Sequence, residues 1–127
     1  EPQARPQRRL DGRQANRWRT EIRDVVLVAV AAHGGAIVHA DASFKRDRGV
    51  ALAAVKQFGF ALEKVDKSLK RDRGIVLAAV QRHGRALEFA DPILKRDREV
   101  VLSAVQQDGS ALDYADDSLK RDRDVVV

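Results

Sequence analysis

The chain contains no cysteine and no methionine, and among its 127 residues there are only three prolines, one tryptophan and one tyrosine. Without cysteine there is no disulfide framework, no thiol nucleophile and no zinc knuckle, and the redox compartment is left open. Long hydrophobic runs are missing too. The longest, residues 25–32, falls far short of the 18 or so needed to cross a bilayer as a helix, so no transmembrane segment is expected. Glu1 in place of an initiator methionine makes the chain an expected remainder of a longer product.

Charge of one sign is lacking over most of the length. The net charge of +5 suggests nucleic acid until it is divided: residues 1–20 hold six arginines against Glu1 and Asp11, whereas residues 21–127 hold 18 basic and 17 acidic groups. The basicity therefore belongs to the N-terminal segment, and the body is densely charged but close to neutral.

What is present is a period of 25 residues. VALAAVKQFGFALEKVDKSLKRDRG from residue 50 is followed by IVLAAVQRHGRALEFADPILKRDRE from 75 and VVLSAVQQDGSALDYADDSLKRDRD from 100, with a looser copy from 25. Residues 125–127 open a fifth. A fixed period of this size, without insertions, is the signature of a stacked array. One copy buries too little apolar surface to offset the entropy of ordering it, so each must lean on its neighbours.

Within a copy, Asp47, Asp72, Asp97 and Asp122 each stand three residues before an apolar run, where an N-cap belongs. The run has helical spacing and predicts a helix of about eleven residues. Gly34, Gly59, Gly84 and Gly109 are expected to end these helices through the left-handed conformation open to glycine. A short helical piece near 60–65 and a turn near 67–70 follow, with Leu52, Val55, Leu62 and Leu69 as core columns. In the first copy Ile22 replaces the capping aspartate, which moves the expected helix start back towards Asn16 and sets Trp18 over the open end of the core. The fold class is all-α: four tandem helical repeats at about 22–46, 47–71, 72–96 and 97–121, stacked as a short solenoid over residues 21–127. An extended Arg-rich tail, residues 1–20, precedes it.

The Asp-Arg-x-Val opening, the Ala-Val-x-x-x-Gly segment, the Ala-Leu after it and the closing Leu-Lys-Arg-Asp, clearest in residues 97–127, resemble the repeat family known as the domain of unknown function numbered 4116. The resemblance covers about residues 22–127. It implies an all-helical tandem array, with occurrence in algae, protists and some intracellular bacteria, and carries no established activity or cofactor. The first copy departs from the pattern at Ile22 and at the Gly34-Gly35 pair.

Candidate chemistry is thin. His33 and His83 share a column at a helix end, where the negative dipole terminus explains a histidine; His33 and His39 are six apart, unlike the i, i+4 pairs of helical metal sites. Ser43, Ser68 and Ser118 recur two residues after an aspartate, which reads as turn chemistry rather than a nucleophile, since an active site needs different residues converging at one place. Phe58, Phe60, Phe89 and Tyr114 read as core edge or protein contact ahead of a base-stacking platform.

The expectation is a non-enzymatic scaffold or accessory subunit with no cofactor or metal, binding other protein subunits of a larger assembly. Its setting is intracellular, and an organellar complex of chloroplast or mitochondrion, reached after removal of a targeting segment, is compatible with the Arg-rich start. Peripheral association with a membrane complex is compatible with it as well. Docking is expected through the tail, by Arg5, Arg8, Arg9, Arg13, Arg17, Trp18 and Arg19. A second set is the Lys-Arg-Asp-Arg rows, once each Asp is set aside as a cap: Lys45, Arg46 and Arg48; Lys70, Arg71 and Arg73; Lys95, Arg96 and Arg98; Lys120, Arg121 and Arg123. The alternative is a nucleic-acid-binding module using the same tail and rows.

Overall fold

The computed structural model describes residues 12–121, with side chains from residue 16. Helix α1 spans Gly12–Ala32, and the short α2 spans Ala42–Lys45. Three near-identical helices follow at intervals of 25 residues: α3 (Arg48–Gln57), α4 (Arg73–Arg82) and α5 (Arg98–Gln107). The short α6 (Asp117–Lys120) closes the described chain. Between these lie 3-10 segments, Gly34–His39, Gly59–Lys64, Gly84–Phe89 and Gly109–Tyr114, and shorter 3-10 turns at Lys67–Arg71 and Leu94–Arg96. No strand occurs among the described residues.

Each copy thus has a long helix, a 3-10 segment and a short turn. The long helices α1, α3, α4 and α5 lie side by side in sequence order, and the 3-10 segments form a second row in the same order. The short turns make a third row, tied by main-chain bonds: the Asp66, Asp91 and Asp116 amides donate to the Lys45, Lys70 and Lys95 carbonyls at 3.1, 3.0 and 3.0 Å. The core runs between the rows through Val55, Leu62 and Leu69 and their counterparts, with no buried polar or charged side chain among the described residues. Leu52, expected in the core, is only half-buried, as are Leu77 and Leu102.

The capping aspartates behave as the sequence predicts. Asp47 accepts from the Gly49 and Val50 amides, Asp72 from that of Ile75, and Asp97 from those of Glu99 and Val100. Asp122 lies outside the described residues. Asp41, Asp66 and Asp116 cap the short turns in the same manner, each accepting from the amide and the hydroxyl of Ser43, Ser68 or Ser118.

Two expectations change. The segment 1–20 was expected to be extended; residues 12–20 are instead the first half of α1, because Arg, Gln and Ala are good helix formers and no proline follows Pro6 in this stretch. Residues 1–11 lie outside the described residues. With the helix running straight through Ile22, no cap is needed there. Trp18 does not close the core but is 57% exposed.

The glycines also have a different reason. None of those described takes a positive φ; the helices end where Phe58, His83 and Asp108 become extended, as at Phe58 with φ −145° and ψ 102°. Glycine is required by close approach. A Cβ on Gly34, Gly59 or Gly84 would press into the carbonyl oxygen of Ala54, Ala79 or Ala104 on the next long helix. The joint between copies is backbone against backbone.

Candidate functional site

Each joint is closed by arginines of one copy, from the tetrads or, at Arg23, from the matching column, reaching an aspartate of the next copy. Arg23, Arg48 and Arg73 place Nε 2.6, 2.7 and 2.7 Å from Asp47, Asp72 and Asp97. Arg23 adds an Nη2 bond of 3.1 Å to the other oxygen of Asp47, and Arg73 also reaches Glu99. One carboxylate thereby caps its own helix and holds the preceding copy. A second file of pairs joins Arg46 to Asp66, Arg71 to Asp91 and Arg96 to Asp116, at 3.5, 3.0 and 3.5 Å.

These contacts hold Asp47, Asp72 and Asp97 below the usual carboxylate range, chiefly through the arginine hydrogen bond, with the cap amides adding to it and burial opposing. A carboxyl depressed in the fold stabilises it fully above its unfolded value near 3.8, and that stability is lost as pH falls through the folded value. Asp72→Ala removes cap and bridge together. It is expected to cost about 2 kcal/mol near neutral pH, with the difference from the parent shrinking as pH drops below about 4, read by urea unfolding.

The tetrads are therefore mostly committed inward. Arg46, Arg48, Arg71, Arg73 and Arg96, expected to be free for a partner, are all paired across joints; Arg98 stands in the same column, and Arg123 lies outside the described residues. The spacing of 20 and 24 residues between each arginine and its aspartate was present in the sequence and is the signal that finds these pairs. Lys45, Lys70 and Lys95 make no side-chain ion pair among the described residues, Lys120 meets Asp117 at 3.6 Å, and Arg121 is exposed. Of the tail group, Arg5, Arg8 and Arg9 lie outside the described residues, and Arg13 lies on α1 ahead of the described side chains. Arg17 pairs with Glu21 at 3.2 Å, and Arg19 lies 5.1 Å from the ring centre of Phe44 and donates to Ser43 Oγ.

A third inter-copy contact went unseen in the sequence. The Gly34 and Gly84 amides donate to the side-chain oxygens of Gln57 and Gln107, both at 2.5 Å. In the joint between them the Gly59 amide donates instead to His83 Nδ1, at 2.9 Å. His83 is thus an acceptor, not the helix-end cation its column suggested. Burial, and then the neighbouring Arg82, lower its pKa below the usual 6.5. The neutral ring is the folded form, so stability is intact above about 6.5 and falls as pH drops below it, since the unfolded chain takes up the proton first. The parent is expected to lose urea resistance as pH falls below about 6.5. The double variant Arg82→Gln with His83→Phe, which copies Gln57-Phe58, is expected to lose less.

The open surface most unlike the rest of the array is a cleft of about 420 Å3 over the first three copies, walled by Val38, Phe58, Phe60 and Phe89 and bordered by Glu63 and Lys64. Phe60 stacks on His83 with centroids 4.8 Å apart, and Phe58 meets both rings edge-on at 5.5 Å. Val38 and Phe58 are 42% and 38% exposed. Val38 stands where later copies have Glu63, Glu88 and Asp113, and Phe60 where they have Arg85 and Ser110. Departures from the repeat, rather than the repeat, mark this place, and Val38 was overlooked because sequence reading followed what recurs. A second cleft, of about 470 Å3, gathers Lys67, Lys70 and Arg71 beside Phe89 and Pro92. No trio of His, Asp or Glu among the described residues could hold a metal ion, and no described helix is long and apolar enough to cross a membrane.

Comparison with known families finds one described as "Domain of unknown function (DUF4116)", whose model matches residues 47–95 and 97–127. The first segment holds two copies, and the second begins on the capping Asp97. The first copy, where Ile22 replaces the cap, falls outside the match. No curated protein and no solved structure matches the chain.

Proposed function

The chain belongs to the DUF4116 family, and from that premise we propose that it is a non-enzymatic scaffold or accessory subunit that binds other proteins within a larger assembly. The observation that carries the reading is the apolar cleft of Val38, Phe58, Phe60 and Phe89. Val38 and Phe58 leave apolar surface open beside the half-buried Phe60 and Phe89, and exposed apolar patches mark protein contacts. The Arg-rich segment ahead of α1 provides a second, electrostatic contact, since Arg5, Arg8 and Arg9 have few acids nearby in sequence.

The test uses substitutions that the repeat itself tolerates. Val38→Glu and Phe60→Ser copy residues found in the same columns of other copies, so the fold is retained while the cleft is lost. Proteins retained from a native extract by the parent chain are expected to be reduced at least tenfold on the double variant. Equal retention by both would sink the cleft reading, and unchanged assembly after deletion of residues 1–11, which spares α1, would sink the docking role of the tail. An organellar setting, in chloroplast or mitochondrion, belongs to the same proposal and is read by imaging the tagged precursor.

The nucleic-acid reading rests on the cleft where Lys67 and Lys70 flank Phe89. It is the weaker one, because Arg71 there is spent on Asp91. It predicts affinity falling steeply with salt, and a flat response would remove it.

A further inference from the structure

Along α1, Trp18, Ile22, Val25, Ala29 and Ala32 follow steps of four, three, four and three residues, which places them in one stripe. In later copies the same face is where the preceding helix lies: Val50, Ala54, Ile75, Ala79, Val100 and Ala104 are all 0% exposed. On α1 it is open. Val25 is 66% exposed, Val28 beside it 72%, and Ala29 is exposed as well. A shallow cleft of about 180 Å3 runs between this face and the Gly34–His39 segment, lined by Val25, Ala29, Ala36 and Ala40 among others.

The face continues an established interface but lacks the aspartate that closes each described joint. Internal joints close with an arginine on the aspartate of Asp47, Asp72 or Asp97, and the first copy has Ile22 in that column. They also close with a glycine amide on Gln57 or Gln107, where the first copy has Ala32, or on His83, whose column in the first copy holds His33, so the missing aspartate is the difference that sets this face apart. An incoming arginine would be left against Ile22 without an acceptor. What suits Ile22 is an apolar neighbour, and α1 of a second copy supplies one.

We propose that two copies of this chain pair through the outer faces of α1, antiparallel about a two-fold axis at Val25. Val25 then meets Val25 of the other copy, Trp18 meets Ala32, and Ile22 meets the exposed Val28. The large Trp18 falls on the small Ala32 and the apolar Ile22 on the apolar Val28, and the two-fold satisfies both halves at once. Arg17 is carried towards the C-terminal end of the opposing helix, whose last turn has no basic residue to balance its carbonyls.

The experiment follows the 127-residue chain by sedimentation and by the emission of Trp18, its single tryptophan. The expected result is a doubling of mass with rising concentration, accompanied by a blue shift and loss of quencher access at Trp18. Val25→Glu, at an exposed position, is expected to keep the helical circular dichroism and to sediment as a monomer. Val25→Cys, the only thiol in the chain, is expected to give a covalent dimer on mild oxidation in high yield. A monomer at about 100 μM, where a micromolar dimer would be nearly complete, overturns the proposal. So does a dimer indifferent to Val25→Glu, or a series of species larger than two, which would report head-to-tail stacking instead.

Discussion

Gly84→Ala unfolds at a clearly lower urea concentration than the parent, with a loss of about 3 kcal/mol, while Gly109→Ala in the same column stays within about 0.5 kcal/mol. The two glycines are equivalent in sequence and share ordinary negative φ values, so backbone freedom predicts equal effects. Packing predicts a contrast. At Gly84 a methyl group meets the Ala104 carbonyl oxygen, and lies 3.0 Å from Gln107 Oε1 and 3.1 Å from Asp108 Cβ. The carbonyl belongs to α5, so relief requires moving a whole helix, and that in turn strains the Arg73 to Asp97 bridge and the Gly84 amide bond to Gln107. At Gly109 the same methyl meets nothing within 4 Å among the described residues, and alanine even restricts the unfolded chain slightly. Urea unfolding of both variants by circular dichroism decides it. Equal losses would return the glycines to a conformational role.

Leu87→Ala is the second large effect, at about 3 to 4 kcal/mol. Leu87 is fully buried on the Gly84–Phe89 segment, in the middle of the second row, with copies on both sides. Its neighbours are fixed by backbone contacts at the glycine joints, so the walls cannot close on the cavity, and poor collapse places the cost in the upper part of the usual range. Leu112, the same column one copy later, is only half-buried; Leu112→Ala is expected to cost about half as much. In a linear array a weakened central copy also decouples the two ends. Leu87→Ala should therefore broaden the urea transition, seen as a reduced m value, whereas Leu112→Ala should keep it sharp.

The period, the helix boundaries of the later copies within a residue or two, and the capping aspartates were legible because each is a local matter: a carboxylate three residues ahead of an apolar run needs no knowledge of what stacks on it. The glycines were placed correctly and explained wrongly. A glycine at a helix end has a well-known local use, and nothing local distinguishes that from the approach of the Ala104 carbonyl, which comes from 20 residues away. The tetrads failed in the same direction. Arg48 and Asp72 were each assigned a job alone, the arginine as a free cation and the aspartate as a cap, although their spacing repeats at Arg23–Asp47 and Arg73–Asp97. Trp18 shows the converse limit: an aromatic near a chain end reads as a lid, and it took the course of α1 through Ile22 to place it on the outer face. The cleft was half visible, since its rings were noticed but Val38 looked like an ordinary apolar residue of a loose first copy.

Every side-chain bridge between copies described above, from Arg71–Asp91 to Arg73–Glu99, spans between 20 and 26 residues. That range has a kinetic meaning. Among the described residues the main contacts between elements likewise join neighbouring copies, and a chain built of such contacts has a low contact order, the class of topology that folds in milliseconds or less. On the ribosome, α3 can dock as soon as the next two dozen residues have emerged, and α4 can dock on it without waiting for the C-terminus. The same short reach lets the array gain or lose a copy by a 25-residue insertion or deletion without any distant contact needing repair.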